Sequence, residues 1–149
     1  MRLGAWTFLL VVALTSPAAA QVDERLLKQI ETHTLDNIRF AMCDEKTRAK
    51  CQPATAAERA SYPLPREISE AVVLVAFRSL IVHACGSDYV QLTFRPMMRD
   101  ARRSRKFSSR QLAFMGFQHG IAFGVFERTQ AAQCTPEWQS FVDQLEASQ

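Results

Sequence analysis

The apolar residues of this chain recur at helical spacing, and sustained polar–apolar alternation is absent. Leucine and isoleucine side chains after Asp23 fall on one face of a predicted helix that ends near Cys43. The run Pro65–Ala84 is apolar nearly all round, so we expect it to form the central helix. Gly86 is the natural terminator of that helix. The pattern predicts helices packed around one core.

Helix-capping signals mark where the other helices begin. Pro96 lacks a backbone N–H and its ring clashes with the preceding turn, so we expect it to kink or break the helix that follows Ser87–Asp88. The remaining predicted starts are the capping boxes Thr55-x-x-Glu58 and Ser108-x-x-Gln111 and the pair Thr135-Pro136. With no linker or internal repeat, the sequence predicts an all-α, five- to six-helix single-domain bundle over residues 21–149, without a sheet.

Residues 1–20 have the three parts of a cleavable export signal. Arg2 gives a positive start, Trp6–Leu14 is apolar, and Ala18–Ala20 supplies small side chains. The apolar run is too short to cross a hydrocarbon core of roughly 30 Å, so we predict cleavage near Ala20 rather than anchoring. Arginine outnumbers lysine fourteen to four, which is typical of a GC-rich bacterial genome. The predicted location is the periplasm, with secretion as the alternative.

The four cysteines predict two disulfides, because an oxidising compartment favours paired thiols over free ones. Three connectivities are possible. If successive long helices alternate in direction, Cys43 and Cys51 share one pole of the bundle, while Cys85 and Cys134 share the other. We therefore predict the bridges Cys43–Cys51 and Cys85–Cys134. Free thiols or a metal site are the competing interpretations.

One stretch of the chain is strongly basic, although the net charge is only +3 at pH 7. Its seven cations are Arg95, Arg99, Arg102, Arg103, Arg105, Lys106 and Arg110. We interpret this basic cluster either as a solvated helix face and loop or as a docking surface. The docked surface would be an acidic protein, or anionic lipid or lipopolysaccharide of the cell envelope. Nucleic acid is not an expected partner of an exported protein.

Three glycines lie four residues apart in the predicted helix Leu112–Thr129, at Gly116, Gly120 and Gly124. Each costs a helix about 1 kcal/mol relative to alanine, so some compensating contact is expected. We expect close packing of this glycine face against the Pro65–Ala84 helix, with a groove for a partner as the alternative.

No catalytic signature is present in the sequence. His33, His83 and His119 fall on three different predicted helices, and their spacing matches no zinc motif. Glu67 and Glu70 stand at a predicted helix start, where carboxylates stabilise the helix dipole. We therefore predict no catalytic residue, no metal site and no cofactor. A cryptic hydrolase or metal enzyme stays open as an alternative.

A partial resemblance narrows the class of function. The segment Phe117-x-x-Gly120-x-x-x-Gly124, followed by Cys134-Thr135-Pro136 and an amphipathic helix, resembles small periplasmic immunity proteins of type VI secretion, the Rap/Tai type. Those proteins are exported, helical and disulfide-bonded, and they inactivate a toxin by binding it. The resemblance covers about a quarter of the chain after residue 20. It implies a non-enzymatic protein that binds another protein in the periplasm, as an inhibitor or immunity factor, with an envelope-associated protein as the alternative.

Overall fold

The computed structural model describes residues 22–148, so the predicted export signal at 1–20 lies outside the described residues. The helices are α1 (Glu24–Asn37), α2 (Ala56–Ala60), α3 (Arg66–Ala84), α4 (Arg95–Ser104), α5 (Ser109–Thr129) and α6 (Pro136–Ala147). An antiparallel hairpin is formed by β1 (Met42–Asp44) and β2 (Ala49–Lys50). The predicted all-α fold is confirmed.

The central element is α3, which packs mainly against α5. Val73, Ala76 and Leu80 join one buried cluster with side chains of α1 and α5. Val72 belongs to a second cluster, which also contains Met98 of α4 and side chains near the start of α5. The all-round apolar sequence of α3 is explained by this position, because the helix contributes buried side chains to both clusters.

Side-chain caps begin α2, α5 and α6 at the predicted positions. Thr55 Oγ1 accepts a hydrogen bond from the Glu58 backbone N–H at 3.1 Å, and Glu58 Oε2 accepts one from the Thr55 N–H at 2.8 Å. Ser108 and Gln111 make the same reciprocal pair at 3.1 and 3.0 Å. Thr135 caps α6 with its side chain. These bonds satisfy backbone donors that have no partner within the helix.

The predicted helix to Cys43 and the predicted absence of a sheet are both wrong. After α1 ends at Asn37, a 3-10 turn follows and the backbone becomes extended at Ala41, with ψ 161°. The hairpin turn contains Arg48 in the left-handed region, with φ 58°, and the Cys43–Cys51 bridge joins its two sides. Strands of two or three residues carry no measurable alternation, so the hydrophobic pattern did not reveal them.

The predicted break at Pro96 does not occur, because the chain stays helical through this residue. A π-helical turn, Val90–Phe94, runs directly into α4, and Pro96 is the second residue of that helix. Because helical residues precede Arg95, Pro96 lies inside a continuous helical segment, where it lacks a backbone donor and its ring crowds the carbonyl four residues earlier. The wider π turn before it provides the local adjustment that the proline ring requires.

Both predicted disulfides are present. Cys43–Cys51 closes the hairpin with a Cα–Cα distance of 4.9 Å, and Cys85–Cys134 joins the end of α3 to the segment before α6 with a Cα–Cα distance of 4.8 Å. No free cysteine occurs in residues 22–148. Within the same range, no helix has both the length and the hydropathy needed to cross a bilayer.

Candidate functional site

Two large apolar side chains project from the hairpin region into solvent. Phe40 is 55% exposed and Met42 is 49% exposed, and no other large hydrophobic residue in the described range is comparably exposed. The Arg39 guanidinium lies 4.9 Å from the centre of the Phe40 ring. Lys50 Nζ donates a hydrogen bond to the Phe40 carbonyl at 2.8 Å. The apolar pair is therefore bordered by cations.

The hairpin is held in one shape by covalent and polar contacts. The Asp44 carboxylate accepts hydrogen bonds from the backbone N–H groups of Lys46 and Thr47 at 2.8 and 3.1 Å. These bonds, led by those from Thr47, lower the pKa of Asp44. Together with the Cys43–Cys51 bridge, they fix the turn that separates the two strands.

The hairpin turn adjoins the basic helix α4. Glu45, in the turn, forms an ion pair with Arg102 of α4. Cys43 packs against the same cluster that buries Met98 and Ala101, the inward-facing residues of α4. We call the combined surface the hairpin–α4 surface; its residues are Arg39, Phe40, Met42, Lys50, Arg95, Arg99, Arg102, Arg103 and Arg105.

Most members of the predicted basic cluster are exposed on one side of α4 and just beyond it. Arg99 lies 3.6 Å from the carboxylate of Asp100, and both side chains are more than half exposed. Within residues 22–148, the exposed cations without a carboxylate inside 4.0 Å include Arg95, Arg103 and Lys106. The positive charge of α4 therefore faces solvent.

Arg110 stands apart from the other cations of the predicted cluster. Its Nε and Nη2 atoms donate to the two carboxylate oxygens of Glu58 at 2.6 and 2.7 Å, and its Nη1 donates to the Gln52 carbonyl at 3.0 Å. The bidentate bond lowers the pKa of Glu58 to about 2. Arg110 lies over the ring of Phe114 and links α5 to α2. Its guanidinium is occupied within the fold rather than presented to a partner.

The glycine face does not pack against α3 as expected. No heavy atom lies within 4 Å of the position that a Cβ would take on Gly120, and that residue is exposed. A Cβ on Gly116 would meet Met98 and Phe94 at 3.8 Å, and one on Gly124 would meet Arg128 at 3.4 Å. The contacts with α3 come from a neighbouring stripe of α5.

That neighbouring stripe of α5 contains a buried histidine bonded to hydroxyl groups. His119 Nε2 lies 2.9 Å from Ser79 Oγ of α3, which in turn lies 2.6 Å from Thr93 Oγ1 in the π turn. Burial lowers the pKa of His119 to about 4, so the ring is neutral at pH 7. Ser79 and His119 have the spacing of a nucleophile and its base. Both are buried, and no carboxylate among residues 22–148 contacts the ring.

The three histidines lie in different surroundings. His33 is exposed on α1, whereas His83 Nε2 lies 3.7 Å from Glu127 Oε1 at the surface. Tyr89 stands between the other two, with ring centres 6.0 Å from His83 and 6.4 Å from His119. No group of three or more potential metal ligands occurs in the described part of the chain.

No protein-family model, curated protein or solved structure matches this chain. The exposed pair Phe40 and Met42 was missed at the level of sequence, because both were assigned to the end of a helix. Their signal in the sequence is the apolar pair beside Arg39, directly before a polar loop closed by two cysteines. The hairpin–α4 surface is the candidate functional site.

Proposed function

We propose that this protein is exported to a bacterial periplasm and there binds an acidic surface of another protein through the hairpin–α4 surface, without catalysing a reaction. The observation that carries the proposal is the exposure of Phe40 and Met42 among cations on a hairpin closed by a disulfide. The two disulfides support a location where thiols oxidise.

The residue types of the surface favour protein recognition. Aromatic residues, methionine and arginine are enriched in interfaces, and aromatic and arginine side chains supply much of the binding energy. Phe40 and Met42 would fill an apolar recess in the partner, while the arginines of α4 meet its carboxylates. Because the hairpin is already fixed by the Cys43–Cys51 bridge, little conformational entropy is lost on binding.

The charge distribution favours an acidic partner. The exposed side of α4 carries Arg95, Arg99, Arg102 and Arg103, and only Arg102 is paired with a carboxylate of another element. Such a patch attracts an oppositely charged surface and raises the association rate at low salt. The partial resemblance to Rap/Tai immunity proteins supports the role of an inhibitor or immunity factor, since those proteins act by binding a toxin.

The test begins with capture of partners from periplasmic extract, followed by titration of the purified partner. Two variants remove different parts of the surface: Phe40→Ser with Met42→Ser, and Arg99→Glu with Arg103→Glu. We expect each to weaken binding about 30-fold or more, which corresponds to about 2 kcal/mol. A matched charge reversal on α1, Arg25→Glu with Lys28→Glu, should leave the affinity within about threefold.

The envelope alternative makes a different prediction. A protein that acts on membrane surfaces would sediment with phosphatidylglycerol vesicles and lose that binding in the Arg99→Glu, Arg103→Glu variant. If the wild type binds such vesicles and captures no protein, the proposed function is wrong. Equal affinities of both surface variants and the wild type for the captured partner would also contradict it.

A further inference from the structure

An apolar cavity of about 530 Å³ lies on the side of α4 that faces α3 and α6. Its walls are formed by apolar side chains of four elements: Val75 of α3, Leu92 of the π turn, Met97 of α4, and Phe141 and Leu145 of α6. This volume falls in the range of small-molecule sites, which are mostly apolar and contain a few polar groups.

The polar groups of the cavity give its rim a positive charge. Arg78 and Lys106 border it, and neither has a carboxylate within 4.0 Å among residues 22–148. Asp100 also borders it, but its carboxylate lies 3.6 Å from the Arg99 guanidinium. Two uncompensated cations therefore stand at the edge of an apolar recess.

We propose that this cavity binds a long-chain carboxylate, with the alkyl chain against the apolar walls and the carboxylate beside Arg78 or Lys106. Binding of an alkyl chain is favoured in proportion to the length that is removed from water. The carboxylate is favoured at the solvent-exposed rim, where it stays hydrated and lies beside a positive charge. An uncharged ligand would leave both cations without a partner, and a compact polar anion would leave the walls in water.

The site shares no residue with the hairpin–α4 surface, although Asp100 at its border contacts Arg99 of that surface. Arg78, Val75 and the residues of α6 belong to no part of that surface, and Lys106 lies outside its defined set. The proposed carboxylate site can therefore be refuted while the proposed function holds, and the reverse is also true. A variant that closes the cavity should keep its affinity for a protein partner.

Titration calorimetry of the purified protein with decanoate, dodecanoate and tetradecanoate tests the wall of the site. Each added methylene should lower the dissociation constant about fourfold, as long as the longer chain still fits against the apolar walls of the cavity. Val75→Trp places an indole in the cavity and should weaken dodecanoate binding at least about tenfold. If all three carboxylates fail to bind saturably, the proposal is overturned.

Comparison of dodecanoate with dodecanol tests the rim. The carboxylate should bind the wild type about tenfold more tightly than the alcohol, and Arg78→Gln with Lys106→Gln should abolish the difference. The control Arg25→Gln with Lys28→Gln removes the same charge from α1 and should preserve it. Equal binding of the two ligands to the wild type would contradict a carboxylate site.

A measurement on the wild type alone tests the site without relying on variants, which could lose binding because they misfold. Dodecanoate should shift the methyl resonances of Val75, Leu92 and Leu145 saturably, while those of Leu27 in the opposite cluster should stay in place. Shifts at Leu27 without shifts at the cavity would overturn the proposal. Binding to phosphatidylglycerol vesicles without binding to free dodecanoate would also overturn it.

Discussion

The buried ring of His119 makes the stability of this protein depend on pH between about 4 and 6.5. In the folded state, burial holds the pKa of His119 at about 4, whereas an unfolded chain has a histidine pKa of about 6.5. As the pH falls through this interval, His119 takes up a proton in the unfolded state but stays neutral in the folded state. The free energy of unfolding therefore falls with falling pH, and this contribution is fully present only above pH 6.5.

The size of the effect follows from the two pKa values. A separation of about 2.5 units corresponds to about 3 kcal/mol between pH 7 and pH 4, with a slope near 1.4 kcal/mol per pH unit in the middle of the interval. For a domain of this size, a loss of about 3 kcal/mol lowers the melting temperature by about 10 °C. A loss of about 3 kcal/mol is a large share of the free energy of unfolding of a typical domain.

Urea unfolding at several pH values measures this slope, with both disulfides intact. His119→Gln should remove most of the slope between pH 4.5 and 6, since glutamine can still bond to Ser79 but does not titrate. His33→Gln changes an exposed histidine on α1 and keeps His119, so it should retain the wild-type slope. An NMR titration that placed the pKa of folded His119 near 6.5 would refute the reasoning.

Three further predictions concern stability. Replacing Cys85 and Cys134 by alanine should cost about 4 kcal/mol and replacing Cys43 and Cys51 about 2.5 kcal/mol, because the first bridge closes 49 residues and the second 8; equal losses in urea unfolding would contradict this. Gly120→Ala should stabilise the protein by about 0.8 kcal/mol, since its Cβ meets nothing, whereas Gly86→Ala should destabilise it at φ +79°; thermal unfolding gives both signs. Glu58→Gln should cost about 2 kcal/mol of stability at pH 7, because the charged hydrogen bond to Arg110 is lost. This difference between variant and wild type should vanish as the pH falls from about 4.5 to about 2, because Glu58 of the folded wild type has a pKa of about 2 and protonates there. A difference that stayed constant with pH would contradict this prediction.

The features predicted correctly from sequence depend on short-range rules. The capping boxes at Thr55 and Ser108 need only four neighbouring residues, so they form wherever the helix starts. The disulfide pairing followed from the alternation of long helices, which places Cys85 and Cys134 at one pole. Neither inference required the angles between helices.

The features that sequence did not predict depend on those angles or on very short segments. The glycine face shows the limit of spacing arguments: a four-residue step rotates about 40° beyond a full helical turn, so Gly116, Gly120 and Gly124 spiral away from any one neighbour. Ser79 and His119 meet only because α3 and α5 cross at a particular position. Their polarity inside an apolar stripe was visible, but their contact was not.

The way α4 is packed explains why its charges can be tested without unfolding the protein. Met98 and Ala101 are the buried residues of this helix, whereas Arg95, Arg99 and Arg103 are exposed. Reversing the charge of Arg99 and Arg103 therefore leaves the buried contacts intact, and it removes no ion pair to another element. A loss of binding in that variant, with unchanged unfolding, would have to arise at the surface itself.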